Sequence, residues 1–153
     1  MFRIDDDLRA LIESGVAAVV GTGDAAGRPQ VAYGWAPRSG ATPSALEVFL
    51  DTARAGPTLA NLRANGRIAV TIGDPVSVRS VQFKGRFQGV AEPTEADRAW
   101  VQQQREAFLV ATSLVGDAPS MIRNLWMDEV VRVTLEVDAA FDQTPGPLAG
   151  RPL

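Results

Sequence analysis

The sequence predicts an α+β protein that is mainly β and is built on an antiparallel barrel. Three strands, a short helix, two strands, a helical segment and a final strand follow one another, joined mostly by hairpin-type connections. The segment "GTGDAAG" follows the first strand but leads into another strand, whereas a dinucleotide-binding α/β sheet needs a helix there. The fifth strand is unusually long, which suits a closed or strongly curved sheet.

Apolar periodicity and turn residues place the elements of the first half. Acidic residues that favour a helix N-terminus and a closing glycine indicate a short amphipathic helix. Compact or alternating apolar runs then indicate strands, interrupted by a two-turn helix after a Gly-Pro break. The predicted bounds are Asp5–Gly15 for the helix, Val16–Thr22, Gln30–Pro37 and Ala45–Thr52 for three strands, Thr58–Asn65 for the short helix and Arg67–Gly73 for the fourth strand.

In the third strand, Leu46, Val48 and Leu50 form a core face, and the opposite face, with Phe49 and Asp51, is mixed. This alternation indicates a strand that is buried on one side.

The second half contains the longest strand and a tail rich in proline and glycine. The predicted bounds are Val76–Glu92 for the fifth strand, a helix that begins at Pro93 and Thr94, a second helix near Pro119–Trp126, and a last strand over Val130–Phe141. Trp100, Phe108 and Trp126 are expected to pack these helices onto the barrel or across a dimer interface. The tail from Asp142 is expected to be a disordered end. Alternatively, it lies over a site, with Gln143, Thr144 and Arg151 as polar contacts.

Composition excludes several classes of function. The 153 residues fit one compact domain, so residues 1–153 are interpreted as a single domain. A formal net charge of −3 gives no reason to bind nucleic acid or an anionic membrane. Without cysteine or histidine, disulfides, thiolate or imidazole metal sites and a Ser-His-Asp triad are impossible, and no metal site is predicted. An acidic N-terminus without an apolar run predicts a cytoplasmic protein.

Several phrases in a fixed order carry a resemblance to a known family. These are "VAAVVGTGDAAGRPQVAYGW", "LEVFLDT" followed by "NLRANGRIAV", and "RSVQFKGRF". Over roughly Leu8 to Val90 the chain resembles the pyridoxamine 5'-phosphate oxidase-like group of flavin-binding split-barrel proteins. The tail phrase "FDQTPG" is similar to a subgroup of unassigned function. The resemblance implies a split β-barrel of the FMN-binding type, a homodimer, and two flavin mononucleotide (FMN) sites at the subunit interface.

The resemblance also implies which residues would contact the cofactor. They are Tyr33, Gly34 and Trp35 near the flavin ring, Asp51 and Thr52 near the ribityl phosphate, Thr58 at the position of the phosphate-binding lysine, and Ser80, Gln82 and Lys84 on the fifth strand, facing the flavin or its substrate. Catalytic residues are not assigned.

Two departures from the family pattern affect the implied function. Thr58 stands where many members have a lysine, which removes a charge-assisted contact to the phosphate. Arg54 and Arg63 are the nearest cations that could replace it. In addition, the oxidases that act on pyridoxamine phosphate use a C-terminal motif containing arginine and histidine, and this chain has no histidine. Oxidation of pyridoxamine phosphate is therefore not expected.

Each implied site residue also has an ordinary structural interpretation. Tyr33 and Trp35 could be packing residues, and Arg54 and Arg63 could be surface arginines. Lys84, the only lysine, could be solvated. However, Ser80, Gln82 and Lys84 alternate along one strand face, and such a polar stripe must meet water, a ligand or a partner subunit.

The leading functional hypothesis is an FMN-binding oxidoreductase that acts on an unknown small molecule. A second hypothesis keeps the fold but replaces FMN with the deazaflavin F420. A third hypothesis is a non-catalytic binding or sensing module that has lost its flavin. The presence of Thr58 in place of the usual lysine is the feature that supports this third hypothesis.

Overall fold

The computed structural model describes residues 1–126 and 128–153. The helices are α1 (Asp6–Ile12), α2 (Gly56–Asn65), α3 (Glu95–Leu114) and α4 (Pro119–Arg123), and a 3-10 turn covers Thr52–Arg54. The strands are β1 (Ala17–Gly23), β2 (Pro29–Ser39), β3 (Ala45–Asp51), β4 (Arg67–Gly73), β5 (Ser80–Ala91) and β6 (Val130–Asp142). The predicted elements are therefore present in the predicted order.

The six strands form a closed barrel in the order β1-β2-β3-β6-β5-β4, with β1 and β4 paired to complete the ring. Every pair is antiparallel. This confirms the predicted α+β fold with an antiparallel split barrel.

The barrel interior is filled by the inward-facing residues of the alternating strands. Val20, Val48, Val70, Phe83 and Val133 are all fully buried in one apolar cluster. Helix α1 packs into the same cluster through its own apolar face. Burial of this cluster supplies the main favourable free energy of folding, because it removes the largest continuous apolar area from water.

The outer side of β3 is more buried than the alternation predicts. Phe49 is 0 % exposed and Asp51 only 3 %, although both point away from the barrel interior. A second apolar cluster explains this, because Trp35, Phe49 and Val101 pack together with partly buried aromatics that include Trp100 and Phe108. The clusters show that α3 covers this face of the sheet, as expected from the aromatic residues at helical spacing.

A four-residue ion network lies between the start of α3 and the sheet. Asp97 accepts a hydrogen bond of 2.6 Å from Arg38 and one of 3.0 Å from Arg132. Both arginines also pair with Glu47, at 2.7 and 3.7 Å. Asp97 completes a capping box with Thr94 at the first turn of α3. The network therefore joins β2, β3 and β6 to the helix that covers them.

The same contacts lower the pKa of one carboxyl group, that of Asp97. Burial alone would raise the pKa of Asp97, but hydrogen bonds from the Thr94 N–H and from Arg38 oppose it. Together with the positive charges of Arg38 and Arg132, these bonds hold the pKa below the ordinary value of 3.8.

We expect Asp97 to make the protein sensitive to acid. Because its pKa is lower in the folded chain than in the unfolded chain, its stabilisation is present above the unfolded value and is lost as pH falls through the folded value. The urea midpoint should decrease more between about pH 6 and pH 3 in the unmodified protein than in Asp97→Asn, which has no carboxyl to protonate. Equal decreases in the two proteins would contradict this role.

The structure shortens the predicted fifth strand at its start. The prediction began at Val76, but β5 begins at Ser80 because the preceding residues form a turn. The Asp74 carboxylate accepts hydrogen bonds from the Val76 N–H and the Ser77 hydroxyl. Val78 has a φ of 56°, which is incompatible with a continuing strand.

The C-terminal tail is ordered, so the expectation of a disordered end is wrong. The Gln143 N–H donates to the Ser80 carbonyl at 2.8 Å, and the Leu153 N–H donates to the Ala140 carbonyl at 3.0 Å. The Ser80 N–H in turn donates to the Thr144 hydroxyl at 3.1 Å. These bonds fold the tail back against the start of β5 and the end of β6. Across residues 1–126 and 128–153, no helix combines the length and apolarity needed to span a membrane.

Candidate active site

A cavity of about 550 Å³ lies at the carboxyl end of β3, on the outside of the barrel. Its lining residues are Val19, Gln30, Val31, Ala32, Tyr33, Leu50, Asp51, Arg54 and Ala55. They come from β1, β2, β3, the 3-10 turn that follows β3, and Ala55 between that turn and α2. The cavity therefore joins an apolar sheet surface to the loop that precedes α2.

The apolar wall consists of outward-facing residues on neighbouring strands. The strand register places Val19 directly opposite Tyr33, and Gly21 directly opposite Val31. Val19, Val31 and Tyr33 are 38 %, 63 % and 51 % exposed. Large apolar side chains that are this exposed and adjacent on one face mark a surface that binds a ligand or another protein.

The polar end of the cavity adjoins the N-terminus of α2. The residue before this helix, Ala55, offers no side-chain hydrogen bond, so no side chain caps the first N–H groups of α2. Arg54 is exposed and lines the cavity one residue earlier. An uncapped helix start attracts an anion through its free N–H groups and the positive end of its dipole, and the neighbouring Arg54 guanidinium adds a full positive charge.

Thr58 lies at the third position of α2, but its side chain points inward. It is 0 % exposed, and its hydroxyl oxygen has no hydrogen-bond partner among the described residues. The hydroxyl does not line the cavity. The predicted contact between Thr58 and a phosphate is thus restricted in this structure to its backbone N–H.

Asp51 at the end of β3 is held by a buried arginine and an indole. Arg105 of α3 donates to one Asp51 oxygen at 3.1 Å, and Trp35 Nε1 donates to the other at 3.2 Å. The guanidinium carbon of Arg105 lies 5.0 Å from the centre of the Trp35 ring. Burial lowers the pKa of Arg105 below its usual value, although the Asp51 charge opposes this shift.

Trp35 is covered by α3, while its neighbour on the same face, Tyr33, is open to solvent. The two rings are stacked with centroids 6.3 Å apart, and Phe108 makes an edge-on contact with Trp35 at a centroid distance of 6.2 Å. Trp35 therefore supports Tyr33 from behind and does not itself line the cavity. Gly34 faces the barrel interior, because a Cβ there would lie 2.7 Å from Val48 Cγ2.

A second groove of about 470 Å³ continues from the first and shares Gln30 and Val31 with it. Lys84 lines this groove, together with Arg67, Arg86 and Asp138. The sequence prediction did not include the two arginines. The two arginines could be recognised as a pair only from their positions opposite each other on β4 and β5. That pairing depends on the strand register, which only the structure supplies.

The predicted polar stripe on β5 does face outward but lies away from the first cavity. Gln82 pairs across the sheet with Thr71, Thr71 pairs with Val19, and Val19 pairs with Tyr33. Three strand spacings separate Gln82 from Tyr33, or about 14 Å. Ser80 contacts the tail, and Gln82 donates to the Thr71 hydroxyl at 3.2 Å.

The structure thus brings together only some of the predicted site residues. Tyr33, Asp51 and Arg54 line the first cavity, and the exposed Thr52 belongs to the turn beside it. Arg63 is exposed in the last turn of α2, about 10 Å along the helix from its first residue. Val19 and Val31 were missed by the sequence analysis, because an exposed valine on a strand carries no signal of its own.

Comparison with known proteins assigns the chain to a family. The family model described as pyridoxamine 5'-phosphate oxidase matches residues 4–128, which is most of the chain. The chain belongs to the pyridoxamine 5'-phosphate oxidase family. The sequence resemblance over Leu8 to Val90 is therefore confirmed. A search of curated proteins gives no match.

Solved structures of this family's fold superimpose over nearly the whole chain. HupZ from Group A Streptococcus has a TM-score of 0.57 at 19 % identity, with 96 % of this chain and 99 % of HupZ covered. An F420 reductase gives 0.55 at 18 % identity, with coverage of 86 % and 94 %. An FMN-binding protein from Syntrophomonas wolfei gives 0.50 at 12 % identity, with coverage of 88 % and 82 %. At these identities the likeness establishes the fold.

Proposed function

We propose that the protein is an FMN-dependent oxidoreductase that acts on a small organic molecule other than pyridoxamine phosphate. The observation that carries this proposal is the cavity at the end of β3, where an apolar wall meets Arg54 and the uncapped start of α2. When bound, FMN would supply the redox chemistry by accepting and returning a hydride. The chain supplies position, apolar surroundings and charge.

The cavity residues fit the two chemically different ends of FMN. Val19, Val31 and Tyr33 offer apolar and aromatic surface for a flat ring. Arg54 offers positive charge for the phosphate, and the N–H groups of Gly56 and Thr58 offer hydrogen-bond donors on either side of Pro57, which has none. Asp51 does not oppose the phosphate strongly, because its charge is buried and paired with Arg105.

We further propose that two chains form a homodimer through the face that bears Val19, Val31 and Tyr33. Burial of these exposed side chains against a second copy would remove an apolar surface from water. The same contact accounts for the outward-facing stripe of Ser80 and Gln82, which lies too far from Tyr33 within one chain to contact the same flavin ring. In a dimer the partner subunit would bring such a stripe to the cavity.

The proposed phosphate site predicts a difference between two arginines. Arg54→Ala should weaken FMN binding at least about ten-fold, because one charge-assisted contact is lost. Arg63→Ala removes an exposed arginine from the far end of the same helix and should leave FMN binding within about two-fold. Isothermal titration of both variants measures this. Equal affinities for the two variants would place the phosphate elsewhere.

The alternative cofactor, F420, has support from the fold of an F420 reductase with 94 % of its length covered. Titration of the same protein with FMN and with F420 separates the two cofactors. The proposal expects tighter binding of FMN. A third outcome, in which neither cofactor binds, would favour the non-catalytic module.

A further inference from the structure

The second groove concentrates positive charge on a chain whose formal net charge is −3. Three cations, Arg67, Lys84 and Arg86, line it together with a single acid, Asp138. The ion pair between Arg86 and Asp138 is 3.7 Å long, and both side chains are more than half exposed. Such a pair contributes little, so the groove keeps a local excess of positive charge.

Two of the three cations have no acidic partner in the part of the chain that the structure describes. Among the described residues, neither Arg67 nor Lys84 forms an ion pair. The Lys84 ammonium lies 4.8 Å from the centre of the Phe141 ring. This cation–π contact stabilises the ammonium but does not neutralise its charge.

Arg67 and Arg86 stand directly opposite each other in the antiparallel pair of β4 and β5. Like charges in that arrangement destabilise a sheet. The chain has more acids than bases, yet it places two arginines face to face here. A bound anion between the two guanidinium groups would turn this repulsion into two charge-assisted contacts.

The floor of the groove consists of small residues. Gly21 and Ala69 lie side by side in the register, with Val31 on one flank and Lys84 on the other. The groove meets the first cavity at Val31, two residues or about 7 Å along β2 from Tyr33. A molecule that occupies the first cavity can therefore extend along this floor toward the cations.

We propose that the groove binds the anionic group, a phosphate or a carboxylate, of the molecule that reacts at the first cavity. The substrate class is then a small organic anion. This inference rests on the proposed function, because FMN in the first cavity would fix where the reacting end of the substrate lies. The planar guanidinium groups of Arg67 and Arg86 each donate paired hydrogen bonds to the anionic group, and the Lys84 ammonium adds a compact positive charge.

Titration with inorganic pyrophosphate and with succinate tests the groove without knowledge of the substrate. Arg67→Gln and Arg86→Gln should each weaken binding of the preferred anion at least about ten-fold. Arg9→Gln, which removes an exposed arginine of α1 outside the groove, should leave it within about two-fold. Tighter binding of pyrophosphate identifies a phosphate, and tighter binding of succinate a carboxylate. Failure of both anions to bind would overturn the proposal.

Two further measurements separate this site from the cofactor site. Arg54→Ala should lose FMN affinity but keep anion affinity, and Arg67→Gln should do the reverse. If Arg54→Ala alone loses the anion, the anion binds at the start of α2 and the groove proposal is wrong. If neither variant affects FMN but Arg67→Gln still loses the anion, the groove stands and the proposed cofactor site fails.

Thermal unfolding measures anion binding in a second way, which does not depend on the heat of binding. Without added anion, Arg67→Gln should unfold at the same temperature as the unmodified protein or higher, because the repulsion with Arg86 is removed. Added anion should raise the unfolding temperature of the unmodified protein but not that of the variant. A change in molecular mass instead of anion affinity would show that the cations serve a subunit contact, which would overturn the proposal.

Discussion

Replacement of Gly85 by alanine should destabilise the barrel by about 3 kcal/mol or more. Gly85 lies in β5 where the register with β6 shifts, directly opposite Val137. An added Cβ would lie 2.0 Å from the Glu136 carbonyl oxygen and 2.9 Å from its carbonyl carbon. Both are backbone atoms, so no side-chain rotation can relieve the contact. The two strands would have to separate, and with them the ring of six strands.

Gly89→Ala is the matched control for this prediction. Gly89 lies in the same strand, and a Cβ there would have no heavy atom within 4 Å. Its free energy of unfolding should stay within about 0.5 kcal/mol of the unmodified value. Urea unfolding of the three proteins measures the difference. If Gly85→Ala and Gly89→Ala have the same midpoint, the close approach of β5 and β6 is not a constraint on the fold.

Asp51→Asn should reduce the free energy of unfolding by about 3 kcal/mol, even though the amide has nearly the same shape. The Arg105 and Asp51 side chains are only 7 % and 2 % exposed, and their ion pair is 3.1 Å long. Loss of the carboxylate charge removes the hydrogen-bonded negative charge that offsets most directly the burial of the Arg105 guanidinium beside Trp35. The effect is therefore larger than the loss of one hydrogen bond.

Asp138→Asn removes the carboxylate of an exposed ion pair and serves as the control. Arg86 and Asp138 are 59 % and 61 % exposed, so this substitution should change the free energy of unfolding by no more than about 1 kcal/mol. Measurement without cofactor keeps stability separate from ligand binding. A smaller loss in Asp51→Asn than in Asp138→Asn would contradict the role assigned to the buried pair.

The positions of the strands along the chain were predictable because the inner face of a barrel imposes a period of two residues on each strand. The alternation at Leu46, Val48 and Leu50 is a local property of the sequence, and the structure buries all three. Burial of Phe49 and Asp51 on the other face was not predictable. It depends on α3, which is distant in sequence and returns to cover β3.

The site could be located only in part for a similar reason. The turn after β3 and the helix start after it are contiguous in sequence, so Arg54 could be identified before the structure. Arg67 and Arg86 come together only through the register of β4 and β5. The inward direction of the Thr58 side chain depends on how α2 packs, which its sequence does not specify.

The central claim is that the cavity at the end of β3 holds FMN. The most direct test is the visible absorption spectrum of the purified protein after incubation with FMN and removal of free ligand, with the released cofactor then quantified by mass spectrometry. The account predicts a flavin spectrum and about one FMN per chain. A colourless protein that retains no FMN and shows no binding in titration would contradict it.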